Sequence, residues 1–337
     1  MKIFVTGGAG YIGGTVASLL SEKGNQVVVF DNLSHSRRSL LPPGVEFVEG
    51  ELADRQAIEQ IFKTSEENKA PFDGVLHFAA LIEAGESMER PELFFRNNTA
   101  STLSLLEAIL ACGPRRLVFS STAAVYGEPE SIPIQEDARL APTNPYGQSK
   151  LFVEQMLAWF NRIHGLRYAS LRYFNVAGAP EGSNGVTRGE SHDPETHLIP
   201  LVLDVALGRR PSIRIYGDDY PTPDGTCIRD YIHVSDLAEA HLLALHALGA
   251  ATEKLAPLIY NFGNGQGFSV REVIESARRV TGHPIPAEVH PRRAGDPAVL
   301  VASSAKATQE LGWKPRYTEL DEIVRTAWAW HQKRYTA

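Results

Sequence analysis

Near its start the chain reads Thr6-Gly7-Gly8-Ala9-Gly10-Tyr11-Ile12-Gly13, placing glycines between a short apolar run, Lys2–Val5, and an amphipathic stretch, Tyr11–Lys23, with Ile12, Val16, Leu19 and Leu20 on one face. Gly7, Gly10 and Gly13 form GxxGxxG, and Gly8, Gly10 and Gly13 also satisfy GxGxxG. Missing β-carbons permit a tight strand-to-helix turn, close approach of a pyrophosphate to backbone N–H groups and close packing of helix on sheet. The helix N-terminus then favours the anion. A glycine-rich connection in any α/β protein is the plain alternative, but here strand and helix flank the turn and the next strand, Gln26–Phe30, ends at Asp31. An acid at that place can accept hydrogen bonds from an adenosine ribose and repels a 2′-phosphate, which favours NAD over NADP. Arg37 and Arg38 close by keep the phosphorylated coenzyme open.

Such a turn belongs to a doubly wound parallel sheet, and the first half of the chain has the required texture. Val45–Val48, Gly74–Phe78 and Arg116–Phe119 read as further strands, separated by helical patterns at Asp54–Glu67 and Pro91–Cys112. A long helix, Tyr146–His164, precedes a strand at Tyr168–Phe174. After about Asn175, glycine, proline and polar residues dominate through Thr196, which marks a second, smaller α/β lobe. The expected division is 1–174 for a Rossmann-type NAD-binding domain and 175–337 mainly for a substrate-binding lobe. The helix Val234–Leu248 leads to an apolar run, Leu258–Phe262, that can return to the first sheet, so segments near 232–262 are expected to complete it.

At 337 residues with 43% hydrophobic and 22% charged content the chain can bury such a core. The formal charge of −7 argues against a broad nucleic-acid or anionic-membrane surface. Two cysteines, Cys112 and Cys227, make neither a disulfide framework nor a CxxC pair, which points to a reducing compartment and a cytoplasmic location. No apolar run is long enough to span a bilayer, and no export segment is expected.

Chemistry enters at Asn144-Pro145-Tyr146-Gly147-Gln148-Ser149-Lys150, where Pro145 starts a helix and Tyr146 and Lys150 share one face. A free phenol titrates near pH ~10, so a phenolate base at neutral pH needs about 4 kcal/mol of differential stabilisation. An ammonium nearby and a positively charged nicotinamide can supply it. The pair can then take a proton from an alcohol while hydride leaves the same carbon, with Ser121 or Thr122 at the preceding strand end completing a hydrogen-bond chain. Taken alone, an aromatic and a lysine at this spacing are packing and a solvated charge.

Glycine turn, Ser120-Ser121-Thr122 and YxxxK in this order resemble the extended short-chain dehydrogenase/reductases. The resemblance runs nearly end to end and narrows to the UDP-glucose 4-epimerase (UDP-galactose 4-epimerase) family. It is carried by Thr6–Gly13, Phe30-Asp31-Asn32-Leu33, Val75–Ala80, Ser120–Gly127 and Arg172-Tyr173-Phe174-Asn175. More specific still are Gly217–Thr222 with Asp224-Gly225-Thr226, Arg229-Asp230-Tyr231-Ile232-His233-Val234, and Pro291-Arg292-Arg293-Ala294-Gly295-Asp296.

That resemblance implies that Tyr146 is the base, Lys150 tunes it and grips the nicotinamide ribose, and Thr122 helps to shuttle the proton. It implies NAD contacts at Gly7, Gly10, Tyr11, Ile12, Gly13, Asp31, Asn32, Glu51, Leu52, Phe78, Ala79, Ala80, Asn98, Ser120 and Tyr173. Asn175, Arg229 and Arg293 then serve as diphosphate and uridine ligands, with His197, Leu198, Tyr216, Tyr231 and Asp296 around the UDP-hexose substrate. The reaction implied is reversible 4-epimerisation through a 4-keto sugar, in a homodimer built on the helices Pro91–Cys112 and Tyr146–His164.

Three positions depart from the family pattern. Ile82 stands where a lysine often touches the coenzyme, and Glu51 where an aspartate usually sits near the adenine, which implies weaker retention of NAD. Leu300 occupies the place of a bulky tyrosine that excludes N-acetyl groups, which implies activity on UDP-N-acetylglucosamine as well. A dehydratase or decarboxylase of the same branch is the alternative, but Ala123-Ala124 replace the acids those enzymes carry before Val125-Tyr126-Gly127. A UDP-glucuronate 4-epimerase is closer in chemistry and is disfavoured by the second-lobe motifs alone. From another class, a non-catalytic NAD-dependent binding protein is opposed by the intact Thr122, Tyr146 and Lys150. The histidines show no HExxH or similar spacing, so no metal is expected.

Overall fold

The computed structural model describes residues 1–182, 185–186, 188–250, 256–293 and 296–336. Its centre is a parallel sheet of seven strands that runs, edge to edge, Glu46–Glu49, Gln26–Asp31, Lys2–Thr6, Gly74–His77, Arg116–Ser120, Arg167–Tyr173 and Leu258–Phe262. Alternate side chains feed two separate cores. Ile3, Val5, Val27 and Val29 pack on one face, and Phe4, Val28 and Phe30 on the other. Burial on both faces is why these strands read as unbroken apolar runs in the sequence. The last strand has crossed back from the second lobe to pair with Arg167–Tyr173, Tyr260 opposite Leu171, as its sequence leads one to expect.

The strand order reverses between Lys2–Thr6 and Gly74–His77, and at the carboxyl ends of these strands an open α/β sheet offers its ligand crevice. The glycine turn sits at this point and leads into the helix Tyr11–Glu22. On the far side, the helix Pro145–His164 begins with Asn144 accepting from the Gly147 N–H at 2.8 Å and ends at Gly165 in the left-handed region.

The expected single helix Pro91–Cys112 is interrupted. A helix over Pro91–Phe94 passes through a π-helical turn, Phe95–Ala100, before Ser101–Cys112. The wider turn carries the buried Asn98, whose amide brackets the Leu81 backbone, Oδ1 accepting from its N–H at 2.8 Å and Nδ2 donating to its carbonyl at 2.9 Å. A local apolar period does not register that one polar clamp.

The second lobe is organised by the strand Ile228–His233. It pairs in parallel with Asn175–Ala177 and Val299–Leu300 and antiparallel with Gly267–Ser269. This register sets Tyr231 opposite Asn175, and Arg229 opposite Leu300. Among the described residues, no helix is long and apolar enough to cross a membrane.

Candidate active site

A cleft of about 430 Å³ lies between the carboxyl ends of the main sheet and the second lobe. Gly7, Gly10, Tyr11, Ile12 and Gly13 line one end of it. Gly7 adopts φ +69°, and a Cβ there would lie 2.5 Å from the Ala79 nitrogen, so the turn can press against the neighbouring loop only as glycine. No side chain caps the Tyr11–Glu22 helix, so its first N–H groups are left to a ligand. At Gly10 a Cβ would meet only the Gly7 carbonyl oxygen, at 3.4 Å, so the backbone lies open to the cleft. Asp31 also lines the cleft and braces the turn: one carboxylate oxygen accepts the Ala9 N–H at 3.0 Å, the other the Leu33 N–H at 2.8 Å. Uncapped amides, a glycine cradle and an acid at the second strand end form the donor and acceptor set a dinucleotide needs. Arg38 turns away from that acid, its guanidinium lying 5.2 Å from the centre of the Phe47 ring.

At the other end of the cleft stand Thr122, Tyr146 and Lys150. Thr122 follows the strand Arg116–Ser120 and caps a short turn, its Oγ1 accepting the Ala124 N–H at 3.2 Å. The start of the Pro145–His164 helix packs against that turn so closely that a Cβ on Gly147 would lie 2.6 Å from the Ala124 carbonyl oxygen. This close approach brings Tyr146 to Thr122, to which it is hydrogen-bonded. Burial is the first influence on the phenol and drives its pKa well above the ordinary value; Tyr173 and Glu83 add to the rise, and the Thr122 bond opposes it. Lys150 is buried with Nζ donating to the Ser120 carbonyl at 2.9 Å, and desolvation pushes its pKa down to about 7. The Thr122 hydrogen bond lowers the phenol against that rise.

A buried ion pair holds the tyrosine helix in place. Arg172, from the strand leading to Tyr173, forks onto Glu154 with Nη2 to Oε2 at 2.6 Å and Nε to Oε1 at 3.0 Å. The Ser121 hydroxyl donates to the same carboxylate at 2.6 Å, and Arg172 Nη1 donates to the Tyr126 hydroxyl at 2.9 Å. The strand ends bearing Thr122 and Tyr173 are thus locked to the helix bearing Tyr146 and Lys150.

Of the other sequence-expected residues, Asn32, Glu51, Leu52, Phe78, Ala79, Ala80, Tyr173, Asn175, His197 and Leu300 line the cleft. The longer Glu51 side chain reaches Asn32, which donates to it at 3.1 Å. Asn98 and Ser120 lie behind this wall. Ser120 Oγ is within 3.2 Å of both His241 Nε2 and the Tyr173 hydroxyl, so these two residues support the lining rather than form it. Leu198 starts the helix Leu198–Ala206 and packs onto the second lobe's core, and Tyr231 is buried in the same core.

Tyr216, Arg229, Arg293 and Asp296 form a separate polar group off the cleft lining. The Arg293 guanidinium sits 4.0 Å from the centre of the Tyr216 ring, and Arg229 Nη2 donates to Asp296 Oδ1 at 3.2 Å. Ala294-Gly295 of the same motif lie outside the described residues. The cleft also holds Glu190 and His192, which sequence reasoning did not single out. Their trace is an acid and two histidines, Glu190, His192 and His197, in a polar stretch that fits no standard ligand spacing.

A dinucleotide turn and a tyrosine–lysine helix facing each other across one cleft define an α/β enzyme that works with a nicotinamide coenzyme. The chain belongs to the NAD dependent epimerase/dehydratase family, which it matches across residues 3–263. It is 55% identical over 330 residues to a UDP-glucose 4-epimerase of Streptomyces lividans, covering 98% of this chain and 96% of that one. Its fold is similar to the crystal structure of UDP-glucose 4-epimerase from Brucella ovis in complex with NAD, with TM-score 0.91, 45% identity and 98% coverage of both chains. It is also similar to the UDP-Glc/GlcNAc 4-epimerase of Campylobacter jejuni, with TM-score 0.83, 39% identity, and 98% and 99% coverage.

Proposed function

We propose that this chain is an isomerase that interconverts UDP-glucose and UDP-galactose by inverting the sugar C4. The observation that carries this reading is the Tyr146 phenol, bonded to Thr122 and one helical turn from a buried lysine, on a cleft whose far end is a dinucleotide cradle. Bound NAD supplies a hydride acceptor that takes hydrogen from C4 and returns it, and a positive ring charge that favours the phenolate. Tyr146 Oη removes the 4-hydroxyl proton and gives it back after the 4-keto sugar has turned over. Thr122 orients that hydroxyl, and Lys150 holds the nicotinamide ribose from its place beside the Ser120 carbonyl. Net redox change is zero, so the coenzyme need not leave between turnovers.

A sugar that rotates must be tethered elsewhere. Asn175 and His197 on the cleft, with Leu198, Tyr216, Tyr231, Arg229, Arg293 and Asp296 of the second lobe, are the residues we assign to the uridine diphosphate. Guanidinium forks suit its phosphate oxygens. On this reading residues 1–174, with the strand Leu258–Phe262, serve the coenzyme, and 175–337 mainly serve the nucleotide sugar. Leu300 lines the cleft with a side chain smaller than a tyrosine, which supports UDP-N-acetylglucosamine and UDP-N-acetylgalactosamine as further substrates.

We also infer a homodimer, because the helices Ser101–Cys112 and Pro145–His164 carry Leu103, Phe152, Trp159 and Ile163 exposed. Cys112 and Cys227 are free thiols, which supports a cytoplasmic location. Incubation of the purified protein with UDP-galactose tests the activity: UDP-glucose is expected as product. No interconversion of either UDP-hexose pair with NAD present leaves the non-catalytic binding protein as the better reading.

A further inference from the structure

Where the second lobe closes over the cleft, the segment from Glu190 to His197 carries three acids, Glu190, Asp193 and Glu195, and two imidazoles. One candidate ligand atom from each of Glu190, His192 and His197 lies within 4.8 Å of the others. Each donor is held by a neighbour. Glu190 Oε1 accepts the Ser191 N–H at 2.6 Å and the His192 N–H at 2.9 Å, and also faces the Nδ1 of the His192 ring. His197 Nδ1 is bonded to Glu195 Oε1 at 2.8 Å. That bond fixes the imidazole and leaves its Nε2 to act as a ligand, the arrangement in which a carboxylate orients a metal-bound histidine.

Beside this group one acceptor is left over. Glu195 has its side chain 10% exposed, yet its Oε2 is buried without any hydrogen-bond partner. The backbone beneath is pinned to the C-terminal helix Leu320–Thr336, since Trp330 Nε1 donates to the Glu190 carbonyl at 2.9 Å and Arg334 Nη2 to the Ser191 carbonyl at 3.1 Å. The site is therefore built on a fastened strip of chain.

We propose that Glu190, His192 and His197 bind a divalent transition-metal ion of the zinc type, with Glu195 as the positioning residue for His197. Two imidazole nitrogens and one carboxylate oxygen suit zinc; calcium and magnesium take oxygen ligands instead. Zinc bonds of about 2.0–2.2 Å set ligand atoms roughly 3–4 Å apart, so the three donors, already within 4.8 Å of one another, need only small shifts, with the Glu190 carboxylate easing off the His192 ring to admit the ion. Because all three also line the cleft, with Tyr11 beside them, the ion would staple this strip over the coenzyme end. The inference does not need epimerase activity, but it claims His197, which the proposed function gives to the uridine diphosphate, so ion and nucleotide compete for that side chain.

The test uses tag-free, NAD-loaded protein stripped with EDTA and titrated with zinc chloride in a calorimeter, with cobalt(II) as an optical probe. The expected result is saturable binding of a single ion per chain and a cobalt spectrum of low-coordinate nitrogen and oxygen ligation. His192→Ala and His197→Ala should each weaken binding at least tenfold, and Glu195→Gln by roughly 10- to 100-fold. Absence of saturable binding in the wild type overturns the proposal, as does unchanged affinity in a folded His192→Ala/His197→Ala double variant. Should that variant not fold, X-ray absorption of the zinc-loaded wild type decides: two imidazole shells support the site, and a shell of water and carboxylate oxygen alone overturns it.

Discussion

At the scale of single residues, the site separates what position supplies from what burial supplies. Tyr146 is in place, but its burial raises its pKa, and the hydrogen bond with Thr122 opposes that rise. The chain therefore stores a protonated phenol beside a dinucleotide cradle and leaves the final bias toward phenolate to the coenzyme's charge. Lys150 shows the same burial from the other side. In the unfolded chain it titrates near 10.5, and in the cofactor-free fold near 7. Between those values the unfolded chain binds the extra proton, so stability rises with pH across that window. Chemical unfolding of cofactor-free protein at pH 7 and pH 9 should show this gain in the wild type and not in Lys150→Met; equal pH slopes would contradict it. Leu300 carries the prediction on specificity. Leu300→Tyr should lower turnover of the N-acetylated nucleotides relative to the plain ones, by about tenfold or more if the steric conflict costs at least 1.4 kcal/mol. Paired kinetics on UDP-galactose and UDP-N-acetylgalactosamine measure this, and an unchanged ratio removes the gatekeeper role.

At the scale of elements, the helix Pro145–His164 is aligned by its buried inner face and by one ion pair in its middle. Glu154 and Arg172 are 6% and 2% exposed, and Ser121 shares the carboxylate. Removing one partner strands a buried charge, so Glu154→Ala should cost about 3–5 kcal/mol in urea unfolding. A loss under 1 kcal/mol would mean that the pair is not what locks helix to strand. Such an element shows what a sequence reading reaches. The inner strands were legible because both their faces are buried, and the tyrosine helix because Asn144, Pro145 and Gly165 mark its ends. The π-turn at Phe95–Ala100 was not legible, because its cause is Asn98 reaching to Leu81, a contact 17 residues away that no local period records. For the same reason Glu190 and His192 escaped notice: their approach to His197 depends on the path of an irregular strip pinned by Trp330 and Arg334.

At the scale of the whole molecule, the crossing strand Leu258–Phe262 ties the second lobe to the first sheet, and the strand Ile228–His233 ties Asn175 and Leu300 to one register. The coenzyme end and the sugar end therefore share one framework, which suits a reaction in which the tether stays still while the sugar turns. The exposed apolar row Phe152, Trp159 and Ile163 is the face that a second copy should cover. Light scattering on an eluting peak should give twice the 37.0 kDa chain mass, and Trp159→Glu should shift it toward the single chain. A wild-type peak at 37.0 kDa would remove the dimer. A proton moving through Tyr146 underlies the whole proposed reaction, so the most direct measurement is UDP-galactose to UDP-glucose turnover by Tyr146→Phe with NAD still bound. General acid–base catalysis of this kind contributes roughly 10²- to 10⁴-fold, and a loss in that range is the result expected. Turnover equal to the wild type, with the coenzyme retained, would contradict the assignment of the phenol as the base.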